Sequence, residues 1–226
     1  MIGAKQIFVG SWRGPALPYD AEVEYIEGDN RNATVSANTL KCVISTGIVP
    51  NLNTDVWECD AQFVAFGNTA GCWGVSGNRF TFGRGSVSWA DWYYGYGNTN
   101  NRTGLSLDYN RHVYRLDGPA RKFSVDSRTY TGSGTPVSAN AAPVYLFTRN
   151  SNQPSDAGLY TVDDCRSRMY SAKYYRNGVL IQHLIPVRVG TVGHAYDLVT
   201  GVLFSNHGLG TLTVGPDKTA NLNGGG

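Results

Sequence analysis

Apolar and polar residues alternate along several short segments of the chain, and the longest of these segments is residues 56–66. Strict alternation over such a length predicts a β-strand with one buried face. The buried face is predicted to carry Trp57, Cys59, Ala61 and Phe63, and the polar face Glu58, Asp60 and Gln62. Shorter runs rich in β-branched and aromatic residues predict further strands at 22–26, 40–48, 79–82, 87–94, 112–116, 122–125 and 144–148. Their spacing of about 8–12 residues, with turn residues between them, favours a sandwich or jelly roll.

The clearest predicted hairpin lies in the last third of the chain, where Asn177 and Gly178 separate two alternating runs, 169–176 and 179–185. An Asn-Gly pair supplies the two positive φ angles that a type I′ turn requires. Further short runs follow at 193–198, 202–204 and 212–214. We therefore predict an all-β chain that folds as a two-sheet antiparallel sandwich.

Composition agrees with this prediction and excludes several other classes of protein. Charged residues make up 16% of the 226 residues, against roughly 25% in typical soluble domains, while 41% are apolar and 12% aromatic. Intrinsic disorder requires the opposite balance of charge and aromatic content, so it is excluded. The length suits one β-sandwich, because single domains of this class often reach about 200–250 residues.

Net charge and apolar patterning also limit the partners that we expect. The formal charge is only +2 and the sequence has no basic stripe, so we expect no nucleic-acid partner. No segment approaches the 18 or more apolar residues of a membrane helix, so we expect no membrane insertion. Residues 1–15 lack the pattern of a secretory signal, so we expect a protein that does not leave the cell by that route.

The four cysteines do not follow the spacing of a zinc site, and no histidine stands at zinc-finger spacing from them. Two of them, Cys42 and Cys59, lie in apolar runs, where a cysteine behaves as a small buried hydrophobe. We therefore predict reduced thiols in the core at all four positions, Cys42, Cys59, Cys72 and Cys165.

Three segments are distinguished along the chain. Residues 1–20 contain one short apolar run followed by Gly and Pro, and they are predicted to form an N-terminal arm. Residues 21–216 form the sandwich, and residues 217–226, which end in three glycines, form a flexible tail. The alternative for residues 1–20, an ordinary first strand of the same sheet, stays open.

Both ends of the predicted sandwich resemble a known family. Segment 168–216, which contains YYRNGVL, YDLVTG and NHGLGT, resembles the closing strands of concanavalin A-like, laminin-G-type domains. The subgroup is common in proteins of gut bacteria and their phages. Segment 22–63, which contains EYIE and ISTGIVP, is similar to the first strands of the same subgroup. The resemblance covers about 21–216 and is carried by the two ends rather than by 67–150. It implies a concanavalin A-like jelly roll, but these motifs are strands and turns and specify no chemistry.

Some enzymes with this fold are laminarinase-like glycosidases that carry the pattern E-x-D-x-E on one strand. Glu58, Asp60 and Gln62 come close to that pattern, and alternate strand positions stand about 7 Å apart. A retaining glycosidase needs a second carboxyl group as its acid and base, and Gln62 cannot transfer a proton in that role. We therefore expect a protein that is not an enzyme, with a glycosidase as the least favoured alternative.

An aromatic cluster carries the candidate binding site, because five of the eight residues in 89–96 are Trp or Tyr. The candidate residues are Trp89, Asp91, Trp92, Tyr93, Tyr94, Tyr96 and Asn98. Aromatic rings stack on sugars while Asn and Asp bind hydroxyl groups, and the same composition is typical of protein-recognition surfaces. A strand of the core explains the cluster as well. The three interpretations, core, protein interface and glycan site, stay open.

The resemblance also implies a function and allows a cofactor. Laminin-G-type domains often hold one calcium ion, for which the loop candidates are Asp29, Asp55, Asp91 and Asp108, and we expect no other cofactor. We expect a structural protein of a bacteriophage virion, in a head decoration or fibre or in the tail. Other virion proteins and host-surface glycans are the expected partners, assembly takes place in the host cytoplasm, and association between copies is left open. The alternative is a carbohydrate-binding or adhesive module of a gut bacterium.

Overall fold

The structure is a computed structural model that describes residues 16–31, 41–68, 70–76, 79–136, 142–150 and 164–218. Within these residues the chain forms 18 β-strands and no helix. In chain order the strands are β1 Ala21–Glu22, β2 Ile26–Asp29, β3 Ile44–Ser45, β4 Asp55–Phe66, β5 Gly71–Val75, β6 Arg79–Arg84, β7 Asp91–Gly97, β8 Thr99–Ser106, β9 Arg111–Asp117, β10 Lys122–Val125, β11 Arg128–Thr131, β12 Tyr145–Leu146, β13 Arg149–Asn150, β14 Cys165–Arg176, β15 Val179–Val189, β16 Val192–Asp197, β17 Leu203–Phe204 and β18 Thr213–Val214.

The strands form two sheets that pack against each other. The larger sheet has the order β11-β10-β9-β4-β14-β15-β16-β17. In addition, β2 pairs with β14, β1 pairs with β15, and β18 pairs with β2. The smaller sheet has the order β3-β12-β5-β6-β7-β8, and β13 joins β5. Except for the parallel pair β13 and β5, neighbouring strands are antiparallel. This arrangement confirms the predicted all-β, two-sheet sandwich and is compatible with a jelly roll.

The core lies between the sheets and is mainly aromatic. Strand β4 alternates as predicted, with Trp57, Cys59, Ala61 and Phe63 buried towards the smaller sheet. From that sheet Phe82 approaches Trp57 at 5.0 Å and stacks on Tyr114 at 4.8 Å between ring centroids. Each buried aromatic side chain removes about 150–250 Å² from water, so this layer dominates the energy that holds the two sheets together.

The predicted hairpin is also confirmed. Strands β14 and β15 pair up to Arg176 and Val179, which leaves Asn177 and Gly178 as the two-residue turn. Their φ angles are +51° and +77°, as a type I′ turn requires. Two residues before the turn a β-bulge shifts the register between Tyr174 and Tyr175, and Ala172 and Tyr174 of β14 lie in the core.

Several of the predicted strands differ from the structure. Segment 22–26 is divided between the separate strands β1 and β2, and of segment 144–148 only Tyr145–Leu146 forms a strand. Of the described part of segment 40–48, residues 41–48, only Ile44–Ser45 forms a strand, because side chains rather than a neighbouring strand bind the backbone before it. The Oδ1 atom of Asn30 accepts hydrogen bonds from the backbone N–H groups of Lys41 and Cys42, at 3.1 and 2.8 Å. The predicted strand 87–94 begins only at Asp91, because residues 85–90 form the loop that precedes it.

Most of the predicted arm and tail, residues 1–15 and 219–226, lies outside the described residues. The described flanks pack on the sandwich near β15. The Tyr19 ring lies 4.9 Å from that of Tyr196, and the Asp20 N–H group donates to the Arg188 carbonyl at 2.9 Å. On the other side, Asp217 binds the Arg188 guanidinium through two hydrogen bonds of 2.7 Å.

All four cysteines lie within the described residues, and all four are buried without a disulfide. Burial raises the pKa of the Cys59 thiol well above its ordinary value, which keeps it protonated. The prediction of reduced core thiols is confirmed.

Candidate functional site

Strand β7, which carries most of the predicted binding residues, lies inside the smaller sheet between β6 and β8. Its Trp92, Tyr94 and Tyr96 side chains are 0 to 2% exposed and belong to the core. Tyr94 stacks on the Phe123 ring at 4.9 Å, and the Tyr96 hydroxyl donates to the Gly118 carbonyl at 3.0 Å. These three rings offer no face to a ligand in the folded chain.

The opposite face of β7 carries Asp91 and Tyr93, and both are covered. The Trp89 ring packs on Tyr93 at 5.6 Å, and the Tyr93 hydroxyl donates to Asn100 Oδ1 at 2.8 Å. Burial raises the pKa of Tyr93 to about 12, so this hydroxyl is a neutral donor at physiological pH. Tyr93 therefore supports the surface residues above it and is itself only 2% exposed.

Arg102 on β8 completes this face of the sheet. Its Nε and Nη2 atoms donate to Asp91 Oδ1 at 2.9 and 2.6 Å, and its guanidinium lies 5.3 Å from the centre of the Trp89 ring. Burial raises the pKa of Asp91, but the hydrogen bonds from Arg102 and the Gly104 N–H group outweigh it and lower the pKa overall. We call these residues the Trp89 platform, defined as Trp89, Asp91, Tyr93, Asn100 and Arg102.

The platform presents a partly exposed indole, an exposed amide and a guanidinium on one surface. The side chain of Arg102 is 55% exposed, and Trp89 is partly exposed. Asn98 is exposed at the other end of β7, where its Oδ1 accepts from the Thr135 N–H group at 3.1 Å, so the structure does not bring it to Trp89. The sequence did not indicate Asn100 and Arg102, because polar residues dominate both faces of β8 and hide its alternation.

The strand face with the glycosidase-like triplet forms part of the outer surface of the larger sheet. Asp60 accepts from Arg111 Nε at 2.7 Å, and Glu58 pairs with Arg115 and Lys173 at 3.4 and 3.6 Å. These contacts tie β4 to its neighbours β9 and β14, although partly exposed ion pairs contribute only about 0–1 kcal/mol each.

Gln62, the third member of the triplet, is occupied at both ends of its amide. Its Oε1 accepts from the Tyr170 hydroxyl at 3.0 Å, and its Nε2 donates to the Tyr109 carbonyl at 2.7 Å. The position of the glycosidase acid therefore holds a neutral amide that links β14 to the loop before β9.

A serine and a histidine that sequence reasoning did not pair come together on the same outer face. Ser171 Oγ lies 3.2 Å from His183 Nε2 across the β14–β15 ladder. Burial lowers the pKa of His183, and the charge of Lys173 lowers it further. Among the described residues no carboxylate bonds to the second ring nitrogen of His183, so the pair lacks the orienting group of a nucleophilic triad.

The four calcium candidates are separate from each other, and each is bound by a positively charged or protonatable side chain. The pairs are Asp29 with Arg31, Asp55 with Arg176, Asp91 with Arg102 and Asp108 with His112. Across the described ranges, no three His, Cys, Asp or Glu side chains form a group that could hold a metal ion.

The motifs that carry the resemblance stabilise turns. Asp197, in YDLVTG, is fully buried and accepts from the N–H groups of His183 and Val199 and from the Thr200 hydroxyl, at 2.8, 3.0 and 2.6 Å. Asn206, in NHGLGT, accepts from the Val43 N–H group at 2.7 Å and donates to the Gly210 carbonyl at 2.6 Å. Both side chains serve the architecture of the sandwich, and neither is available for a ligand.

Within the part of the chain that the structure describes, no helix has the length and apolar character needed to span a bilayer. Comparison of the chain with protein-family models, with curated proteins and with solved structures gives no match in any of the three.

Proposed function

We propose that this chain is a non-enzymatic structural protein of a bacteriophage particle that displays a lectin-like sandwich. The observation that carries the non-enzymatic part is the strand face of Glu58, Asp60 and Gln62. Both acids on it are held by Arg or Lys, and the third position is an amide with both ends bonded. A face arranged in this way stabilises a sheet and lacks the second carboxyl group that would protonate a glycosidic bond.

The assignment to a phage particle rests on the sequence resemblance to a subgroup of gut bacteria and their phages. The all-β sandwich agrees with that resemblance at the level of fold. The low content of charged residues, 16%, suits a surface that contacts other subunits or uncharged sugars. The head and the tail are both open as locations, and the second candidate is an adhesive module of a gut bacterium.

For the glycan-binding part we propose the Trp89 platform. Its indole is the one aromatic ring of segment 89–96 that keeps substantial exposure, and the guanidinium and amide beside it can donate to sugar hydroxyl groups. Asp91 and Tyr93 hold Arg102 and Asn100 in place from below. An uncharged sugar is the expected ligand, because Asp91 already balances the charge of Arg102.

Mass spectrometry of gradient-purified phage particles tests the first part of the proposal. The chain should be recovered at a fixed ratio to the major capsid protein, and antibody labelling in electron microscopy should place it on the head or the tail. Absence from particles, together with recovery from the bacterial surface, would instead support the adhesive module.

A glycan array with the purified protein tests the second part. Binding to at least one host-surface glycan is expected for the native chain and for Val179→Ala, which alters an exposed side chain at the distant hairpin turn. Trp89→Ala should lose that binding while its thermal unfolding stays cooperative. Equal binding by all three proteins would place the glycan site elsewhere, and no binding by any of them would remove this part of the proposal.

A further inference from the structure

His112 lies between two carboxylates that come from different turns. Its Nδ1 atom is 2.7 Å from Asp126 Oδ2 in the turn between β10 and β11, and its Nε2 atom is 2.7 Å from Asp108 Oδ1 in the loop between β8 and β9. The three side chains line a pocket of about 200 Å³. We call these three residues the His112 clamp.

The geometry of the clamp requires a particular protonation state. An ionised carboxylate only accepts hydrogen bonds, and a neutral imidazole has one N–H donor and one lone pair. Two carboxylates at hydrogen-bond distance from both ring nitrogens are therefore satisfied only by the doubly protonated imidazolium. When the ring loses a proton, one carboxylate faces a lone pair at 2.7 Å, and that contact becomes repulsive.

The ring itself is held from the core side. Trp92 and Tyr114 contact it edge to face, at 6.1 and 5.8 Å between centroids, and its side chain is only 13% exposed. When His112 loses a proton, we therefore expect one of the two turns to move and the ring to stay in place. Each carboxylate also has a second hydrogen bond. Asp126 Oδ1 accepts from the Val113 N–H group of β9 at 2.9 Å, and Asp108 Oδ1 accepts from the Asn110 N–H group of its own loop at 2.8 Å.

We propose that the His112 clamp is a pH-operated latch that joins the β8–β9 loop to the β10–β11 turn while His112 is protonated and releases one of them when it is not. The released element widens the pocket between Leu105 and Val125, the apolar residues of its lining. The loop also connects to the smaller sheet, because Leu107 N–H donates to the Ala90 carbonyl at 2.8 Å. The latch does not depend on the proposed function.

Other charged groups around the ring are few. Arg128 lines the pocket from β11, and Tyr114 is the titratable neighbour on β9 itself. The β4 residue opposite His112 is Ala61, and Arg111 is bound to Asp60 on the other face of the sheet. Strands β7 and β8 contribute the non-titratable Trp92 and Leu105. The two carboxylates, Asp108 and Asp126, therefore dominate the electrostatic environment of the His112 ring.

The direction of the pH effect follows from these neighbours. Burial lowers the pKa of His112, but the hydrogen bonds to Asp126 and Asp108 outweigh it and raise the pKa above the ordinary value of 6.5. Burial likewise raises the pKa of Asp108, and the bonds from His112 and Asn110 outweigh it and lower the pKa below 3.8.

A raised histidine pKa stabilises the fold fully below pH 6.5, and this stabilisation is lost as pH rises through the folded pKa. A lowered aspartate pKa stabilises the fold above pH 3.8, and that stabilisation is lost as pH falls through the folded pKa. The latch is thus fully closed between these two values.

NMR titration of the isotope-labelled protein between pH 5 and 9 tests the latch, with the imidazole shifts of His112 followed directly. We expect a midpoint above 6.5, and we expect the amide signals of Asn110 and Val113 to shift with the same midpoint. Asp126→Asn should lower the midpoint by about one pH unit, because it removes one opposing charge. The control Asp60→Asn, on the other face of the sheet, should leave it unchanged.

A native midpoint at or below 6.5, or amide signals of Asn110 and Val113 that do not follow the ring, would overturn the proposal. An unchanged midpoint in Asp126→Asn would overturn it as well. If that variant does not fold, the native titration decides alone, since it requires no substitution.

Discussion

Asp55 and Arg176 form a two-pronged ion pair where β4 begins and β14 ends, with Nε–Oδ1 and Nη2–Oδ2 distances of 2.9 and 2.8 Å. The two residues are directly opposite in the β4–β14 register. Asp55 is fully buried, and the Tyr174 hydroxyl donates to it at 2.9 Å. This cluster joins the first residue of one central strand to the last residue of the other.

Removal of the Arg176 guanidinium should lower the free energy of unfolding. Arg176→Met leaves a buried carboxylate without its main counterion, and we expect a loss of about 2–4 kcal/mol in the free energy of unfolding. The value lies below that of a fully enclosed pair because the Arg176 side chain is 40% exposed. Urea denaturation measures the loss. Arg111→Met is the control, because its pair with Asp60 is more exposed and should contribute only about 1 kcal/mol. Equal losses in the two variants would contradict the prediction.

The same cluster makes stability depend on pH in the acid range. Burial raises the pKa of Asp55, but the bonds from Arg176, the Asn51 N–H group, Thr54 and Tyr174 outweigh it and lower the pKa below 3.8. A lowered pKa stabilises the fold above 3.8, and the gain is lost as pH falls through the folded pKa. Asp55→Asn should therefore be less stable than the native chain at pH 7, and the difference should shrink towards pH 2. Chemical denaturation at several pH values measures it, and a constant difference would count against this role of Asp55.

Strand β7 allows a direct comparison of a core ring with a surface ring. Trp92→Ala removes a fully buried indole that contacts Phe63 and Tyr114, at 5.5 and 5.1 Å, and should cost about 3–5 kcal/mol. Trp89→Ala removes a partly exposed ring and should cost less than about 2 kcal/mol. Thermal and urea unfolding of both variants provide the measurement. A larger loss in Trp89→Ala than in Trp92→Ala would contradict the placement of the two rings.

Local patterns predicted the elements whose burial is one-sided. In β4 every second residue meets the core, so its alternation is visible in the sequence, and the Asn177-Gly178 turn requires only local φ angles. Strand β8 has no such pattern, because its strand state comes from pairing with β7. Segment 40–48 has the composition of a strand, but Asn30 and Asn206, from distant parts of the chain, bind its backbone instead.

The candidate site was less accessible to sequence reasoning for a similar reason. Both faces of β7 are aromatic, and only the tertiary fold decides that the loop before it places Trp89 over Tyr93. Arg102 reaches Trp89 from a strand that the pattern did not reveal. The His112 clamp joins two turns through His112 and requires the complete arrangement of β8 to β11.

Calcium should have little effect on stability. The four candidate carboxylates, on Asp29, Asp55, Asp91 and Asp108, are bound by Arg or His side chains, and an ion would have to displace them. A calcium site filled at 100 times its Kd would add about 2.7 kcal/mol, which corresponds to several degrees in Tm. We expect Tm values within about 1 °C in EDTA and in millimolar calcium chloride, as measured by calorimetry. A rise of several degrees with calcium, but not with magnesium, would reveal a site that these pairs do not occupy.

Hydrolysis of β-glucans should be absent. The strand position of the catalytic acid is Gln62, whose amide bonds to Tyr170 and to the Tyr109 carbonyl, and Glu58 is paired with Arg115 and Lys173. The triplet has no carboxyl group at the position of the catalytic acid, so release of reducing ends from laminarin should equal the buffer background. Glu58→Gln should give the same background, with a laminarinase as the positive control of the assay. Turnover in the native chain that disappears in Glu58→Gln would show that Glu58 acts as a nucleophile, with an acid supplied from outside this strand.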